Sequence, residues 1–452
     1  MPDSLQLDTA GRTLARLIEA LDDESSAAIV DILHDLHPAE IANLLESLPL
    51  VRRDIVWAHL DPAEFGEILA EVDDGTRLER LAKLDTVDVA AIASSVAPDD
   101  AVDILQDLSS AVVAEVLATL DAPERERLSA VLAYPEDSAG GLMNIDTVPV
   151  RADVTLAVVT RYLRARGEIP ERTNRLMVVD RDGRYVGMLR LADLLVCDAK
   201  LMVSECMRTD VGAIAADTNA VQVAQIFEQL NLLSAAVVDT KGKLIGRITI
   251  DDVVDVIREQ GEESLMHMAG LDHHEDMFGP VLGVARKRAM WLGVNLATAL
   301  LASWVIGLFE ASIQEVVALA VLMPVVASMG GIAGSQALTV VIRAMALGQI
   351  GQHNAFALVR HELAVGALNS VLWAGVVAGV AYAWFDSPML GAIVGTALIV
   401  NLIVAAIAGA LVPLTLRRLN IDAALAGGVV LTTVTDVVGF VTFLGLGALL
   451  LI

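Results

Sequence analysis

The stretch Leu431-Thr432-Thr433-Val434-Thr435-Asp436-Val437-Val438-Gly439 sets one carboxylate about a dozen residues into an apolar segment running from Ala423 to Ile452. A carboxylate at that depth in a bilayer costs several kcal/mol unless it faces protein interior, water or a cation, so an acid inside a spanning segment marks a functional site. Asp436 is therefore the first candidate residue. The apolar segment around it is long enough to cross a membrane, which makes this half of the chain a membrane domain.

Working outward from it, runs of the roughly 20 residues a span requires occur at about 289–309, 316–341, 361–385, 389–416 and 424–452. Arg286-Lys287-Arg288 precede the first, Arg343 and Arg360 flank the loop after the second, and Arg417-Arg418 follow the fourth. The remaining connections offer only Glu310, Glu315 and Asp386. Basic loops stay on the cytoplasmic side, so the amino end is expected inside, the carboxyl end outside, and an odd number of spans satisfies both.

The 452 residues are 55% hydrophobic with a formal net charge of −27, and these values describe two unlike halves. Up to about His274 the chain is acidic and amphipathic; from Trp291 it is mostly Ala, Val, Leu, Ile and Gly. Met1-Pro2-Asp3-Ser4 carries neither a basic n-region nor an apolar h-region, so the acidic half is expected in the cytoplasm. Cys197 and Cys206 are too few for a disulfide framework and read as structural thiols in a reducing compartment.

The second span is expected to be broken, by Pro324 and then by Gly330-Gly331-Ile332-Ala333-Gly334-Ser335-Gln336. A break there would free carbonyls that only a cavity or protein interior can satisfy. Alternatively, Gly330 and Gly334 stand at the spacing that lets helices approach closely. The pairs Gly375 with Gly379 and Gly391 with Gly395 read as packing.

In the acidic half, residues 14–135 show apolar residues at helical spacing. His37-Pro38-Ala39-Glu40, Asp61-Pro62-Ala63-Glu64 and Asp121-Ala122-Pro123-Glu124 are helix starts, with Pro in the first turn and an acid behind it. Their recurrence predicts a stacked helical solenoid. Between about 140 and 258 an internal repeat appears. Met177-Val178-Val179-Asp180-Arg181-Asp182-Gly183-Arg184-Tyr185-Val186-Gly187 before Asp193 is echoed by Ala236-Val237-Val238-Asp239-Thr240-Lys241-Gly242-Lys243-Leu244-Ile245-Gly246 before Asp252. Each copy predicts strand, turn, strand, helix.

This repeat resembles a tandem pair of CBS domains, a ligand-sensing module. The resemblance implies ATP or another adenine nucleotide at Thr249 and Asp252 in the second copy, whereas Arg190 replaces the hydroxyl in the first. The whole chain resembles the MgtE family of magnesium channels and transporters. Ala139-Gly140-Gly141-Leu142-Met143, the Gly330-Gly331 motif through Gln336, and Asp422 with Thr432 to Gly439 carry that likeness in order.

The resemblance implies a multi-domain architecture: an all-α superhelical domain over 1–136, an α/β CBS pair over 137–200 and 201–258, a connecting helix over 259–287, and five helices over 288–452. It implies a homodimer in the bacterial inner membrane with no nucleic-acid partner. Its pore would bind hydrated Mg²⁺ at Asp436, Thr432, Thr435, Gly439 and Gly331. Independently, Mg²⁺ dehydrates reluctantly and is held through one or two carboxylates with its waters kept. Regulatory Mg²⁺ would lie among Glu67, Asp99 and Asp103, then Asp251, Asp252, Asp255, Glu259, Glu262 and Glu263, with Asp422 in the last cytoplasmic loop. Low Mg²⁺ would loosen the gate.

The chain departs from the family pattern at Ile332 for Asn, at Asp422-Ala423-Ala424 for Asp-Pro-Ala, and at Asn219, Ala220 and Val221 for a carboxylate cluster. Two alternatives stand beside Mg²⁺ transport: passage of Co²⁺, Ni²⁺ or Mn²⁺, and a CBS-regulated membrane sensor without transport. Asp272-His273-His274-Glu275-Asp276 offers transition-metal ligands but reads better as a solvated turn. His361-Glu362 lacks the second histidine of a zinc-protease motif, and no enzyme is expected.

Overall fold

The computed structural model describes residues 3–170, 172–271, 277–346, 348–350, 354–419 and 421–452, with residues 3–10 as backbone only. The Asp272 to Asp276 segment lies outside the described residues. The chain forms two compact units, residues 1–262 with 274–281, and residues 263–273 with 282–452.

The first unit opens with short helices whose starts are set by local chemistry. His37 and Glu40 form a reciprocal cap on Pro38–Glu46, Asp61 caps the turn Pro62–Glu64 that runs into Phe65–Glu71, and Asp121 caps Ala122–Val131. Each cap satisfies amide groups that a helix start leaves without partners. The apolar faces build one core from Leu17 to Val131, including Leu45, Trp57, Ile68, Ile104 and Leu105. Arg53 is fully buried within it; its guanidinium donates to the Leu48 carbonyl at 2.8 Å and the Thr76 hydroxyl at 3.0 Å.

Two sheets follow with the same plan. Pro149–Arg151 runs parallel to Arg175–Val179, which pairs antiparallel with Tyr185–Arg190. Ile214–Ala215, Ser234–Val238 and Leu244–Thr249 repeat that order, and both hairpins shift register at the same step, Val178/Val179 and Val237/Val238. The turns are built alike: the Asp180 carboxylate accepts from the amides of Asp182 and Arg184, and Asp239 accepts from those of Lys241 and Lys243. Gly183 and Gly242 supply φ of +78° and +77°, a conformation that L side chains resist. The second sheet shares its core with the helical domain through Phe227, Ala235, Val237, Ile248 and Val253.

After the first hairpin the helix is short, Leu191–Val196. After the second it runs unbroken from Ile250 to Met268, so the boundary expected at residue 258 falls inside one helix.

The second unit holds helices long and apolar enough to cross a membrane at Val281–Gly307, Val317–Ala346, Ala355–Phe385, Pro388–Arg418 and Ala423–Leu450, referred to below as the first to fifth spans. The first begins earlier than hydropathy alone suggests, taking Arg286-Lys287-Arg288 into its first turns. The fourth is the central helix: Leu390, Val394, Ala397, Leu398, Asn401, Ala405 and Gly409 are buried along it. The expected break in the second span is corrected here, because Val317–Ala346 is one continuous helix with Pro324 inside it. Proline removes the bond to the Ala320 carbonyl without ending the helix. The glycines after it serve close packing instead. Gly334 meets Leu431 of the fifth span, and a Cβ on Gly409 would stand 2.6 Å from the Gly334 carbonyl. Gly391 and Gly395 pack on Ala378 and Ala374 of the third span, whereas Gly375 and Gly379 face open space.

Overpacking a tight helix contact costs about 1–3 kcal/mol, so Gly409→Leu is expected to lower the thermal midpoint of the detergent-solubilised protein clearly. Gly375→Ala, with nothing within 4 Å of its new methyl, should leave that midpoint unchanged or slightly raised. Equal midpoints for both variants would count against this packing.

Candidate functional site

Along the second span the polar and small residues Ser328, Gly331, Ser335 and Thr339 recur every three or four positions, which places them on one face of the helix, with Gln336 beside Ser335. That face and the fifth span enclose an open groove of about 800 Å³, lined by Ala327, Ser328, Gly331, Ile332, Ser335, Gln336, Thr339, Val340, Thr432 and Asp436. The Asp436 carboxylate is the groove's charged group, and the lining contains no Cys or His.

The five expected pore residues separate into two sets. Asp436, Thr432 and Gly331 share the groove. Thr435 is fully buried, its hydroxyl donating to the carbonyls of Leu431 and Thr432 at 3.1 Å, and Gly439 packs against Asn401. Ile332, at the position where the family usually has Asn, puts an apolar side chain into the groove. Ser328 and Thr339 were not among the expected residues, although the polar stripe at helical spacing carries their signal.

In the first unit the helix Pro98–Gln106 and the helix from Ile250 bring acids together. Asn144 donates its amide to both Asp99 oxygens, at 3.1 and 3.0 Å. Burial and then the nearby Asp99 charge push Asp100 and Asp252 each up to about 7, and burial with the Asp74 and Asp255 charges does the same to Glu259. Burial raises Asp103 well above the usual carboxylate range despite Arg77, and it raises Asp99 and Asp255 too. Arg172 pairs with Asp251. Glu71 is the acid of its helix whose charge reaches Asp100; Glu67 and Glu262 are exposed.

In the second unit Glu263, His267 and Asp422 bring their ligand atoms within 4.8 Å of one another, and they are the group of three metal-capable side chains among the described residues. His267 Nδ1 lies 2.5 Å from Asp422 Oδ2. The other Asp422 oxygen caps the fifth span by accepting from the amides of Ala424 and Leu425 at 2.6 and 3.4 Å. His267 was not an expected site residue.

Beside the second sheet lies a cavity of about 680 Å³ whose lining includes Arg172, Thr173, Asn174, Thr249, Ile250, Asp251 and Asp255. The Thr249 amide and hydroxyl both donate to Asp252 Oδ2, at 2.9 and 3.1 Å. In the first copy Arg190 grips Asp193 through two bonds of 2.7 and 2.5 Å.

Residues 323–446 match the MgtE divalent cation transporter family, residues 36–137 its intracellular N domain, and residues 139–199 and 203–259 CBS domains. Over 442 residues, 96% of this chain and 98% of the relative, the sequence is 32% identical to the magnesium transporter MgtE of Thermus thermophilus. The chain belongs to the MgtE family. It is 26% identical to the magnesium transporter MgtE of Bacillus subtilis, covering 97% of each chain. Among solved structures, the cytosolic domain of the Mg²⁺ channel MgtE in complex with ATP matches 54% of this chain and 99% of its own length, with 32% identity and a TM-score of 0.49. MgtE membership makes the protein a multi-pass membrane transporter and sets aside the sensor that transports nothing.

The acidic cluster gives a pH dependence of definite sign. Asp100, Asp252 and Glu259 bind protons more tightly folded than unfolded, so their contribution is full below the ordinary carboxylate range and is lost as pH rises through about 7. The groups facing them are Glu71, Asp74, Asp99, Asp251 and Asp255, offset by Arg77, Arg172 and Arg258. In divalent-free buffer the full-length protein is expected to resist protease better at about pH 6 than at about pH 8. Equal cleavage rates within residues 1–262 at both values would refute this.

Proposed function

We propose that this protein carries Mg²⁺ across the cell's inner membrane through the groove of the second and fifth spans, completed by a second copy of the chain. The observation that carries the reading is Asp436, a carboxylate deep in an apolar helix that opens into a groove with Ser328, Ser335, Gln336, Thr339 and Thr432. An all-oxygen lining suits a hard cation that keeps its waters. The softer alternatives Co²⁺ and Ni²⁺ gain little from a lining without imidazole or thiol, whereas Mn²⁺ shares the preference of Mg²⁺ for oxygen ligands. An open groove has one wall missing. A two-fold partner supplies that wall and a second Asp436 at the same level.

The basic residues Arg286, Lys287, Arg288, Arg343, Arg360, Arg417 and Arg418 favour a cytoplasmic amino end and an external carboxyl end. In this arrangement cytoplasmic Mg²⁺ regulates the pore. Asp99, Asp100, Asp103, Asp251, Asp252, Asp255 and Glu259 repel one another until a divalent ion or protons offset the charge. Glu263 and Asp422 extend the regulatory set to the head of the fifth span. An adenine nucleotide would bind in the cavity that Thr249 lines, with Asp252 behind it holding the Thr249 hydroxyl; the Arg190–Asp193 pair leaves the first copy without that hydroxyl contact.

Transport should depend on Asp436, since removing it deletes the charged ligand of the groove. In cells lacking their own Mg²⁺ uptake systems, Asp436→Ala and Asp436→Asn are expected to abolish growth at low Mg²⁺ while reaching the membrane at normal abundance. Growth matching that of the unaltered protein with either variant would remove the groove as the ion path.

A further inference from the structure

Asn401 stands midway along the fourth span, fully buried, and lines no part of the groove. Its amide Nδ2 donates to the Val326 carbonyl of the second span at 2.9 Å. Its Oδ1 is buried with no hydrogen-bond partner among the described residues. Two glycines make room for it: a Cβ on Gly330 would collide with the Asn401 amide, and one on Gly439 would lie 2.8 Å from it. Gly330 adjoins the groove residue Gly331, Val326 adjoins the groove residue Ala327, and Gly439 lies one turn beyond Asp436. One side chain thus touches the back of both helices whose fronts form the groove.

The energetics exclude a stabilising role as the main reason for an amide here. The donor adds a second bond to a carbonyl already inside a continuous helix, so deleting it orphans nothing. The acceptor, by contrast, sits unmatched in the interior at a cost of about 1–3 kcal/mol. A branched apolar side chain of similar size would remove that cost. An amide kept against its own desolvation fixes geometry.

From this we infer that Asn401 is a positioning residue for transport: it sets the register of the second span against the fifth, and so the placement of Gly331 and its polar neighbours opposite Asp436. The inference rests on the groove being the ion path. It differs from the packing role of Gly334 and Gly409 in that it acts through a hydrogen bond whose loss the fold tolerates.

The test compares Asn401→Leu, Asn401→Ala and Asp436→Ala in the full-length protein, measuring thermal midpoint in detergent and Mg²⁺ uptake against external Mg²⁺. Asn401→Leu is expected to keep or raise the midpoint while raising the half-saturating Mg²⁺ concentration several-fold. Asn401→Ala should shift half-saturation the same way with a lower midpoint, because it leaves a cavity. An unshifted half-saturation in both variants, with maximal uptake following only the amount of folded protein, overturns the inference while leaving the groove reading intact, provided Asp436→Ala has lost uptake. A midpoint that falls in Asn401→Leu as far as in Asn401→Ala overturns it as well, since the amide would then be structural. Normal uptake by Asp436→Ala removes the groove and the inference together.

Discussion

Within a hydrocarbon layer there is no water to complete a polar group's hydrogen bonds, so each such group must find its partner in the protein or in what the protein carries. The spans follow this rule nearly everywhere. Thr432, Thr433 and Thr435 turn their hydroxyls back onto carbonyls of their own helix, and Asn401 reaches across to Val326. Asp436 is the acid of the fifth span, and a carboxylate has no such internal remedy, since it accepts without donating. It lies in a groove lined by hydroxyls and an amide, and on the reading proposed above a hydrated cation would be the missing partner.

The acidic half meets the same constraint in a different solvent. Asp99, Asp100 and Asp252 are partly withdrawn from water with too few cations, and the cost appears as a raised proton affinity, which carries Asp100 and Asp252 up to about 7. Arg77 and Arg172 offset part of the charge. The remainder makes the contact between the helical domain and the helix from Ile250 responsive to protons, and the proposed regulation by divalent ions would act on the same charges.

Much of this was legible in the sequence because it is local. Caps at His37, Asp61 and Asp121, and the twin turns at Gly183 and Gly242, depend on residues a few positions apart. The five spans follow from length and apolar content. Which face of a span points where is less legible, because a helix apolar all round carries no amphipathic signal. Thr435 and Gly439 therefore read as groove residues alongside Asp436 when they face the packed side. The second span carried a usable signal, the stripe Ser328, Gly331, Ser335, Thr339. Its glycines suggested a break because glycine frees the backbone; in a crowded bundle its stronger use is to admit a neighbour, as at Gly334. Asn401 could not be placed by pattern at all, since its meaning comes from two glycines 71 and 38 positions away, at 330 and 439.

Asp422 shows why a departure from a family motif need not disturb the helix start that the motif opens. The proline usual after it is replaced by Ala423, yet the helix start depends on the carboxylate, which accepts from Ala424 and Leu425. Proline at that position would only pre-set a backbone angle the helix adopts anyway. The second oxygen is left for His267, on the helix that continues from the acidic cluster. Each oxygen of one side chain thus has a separate task, one ordering the head of the helix that carries Asp436, the other holding the segment that leads back to the carboxylates. Replacing the cap by Ser or Asn, either of which can start a helix, would keep the first task and remove the charge that the second requires, so an acid is the residue this position selects.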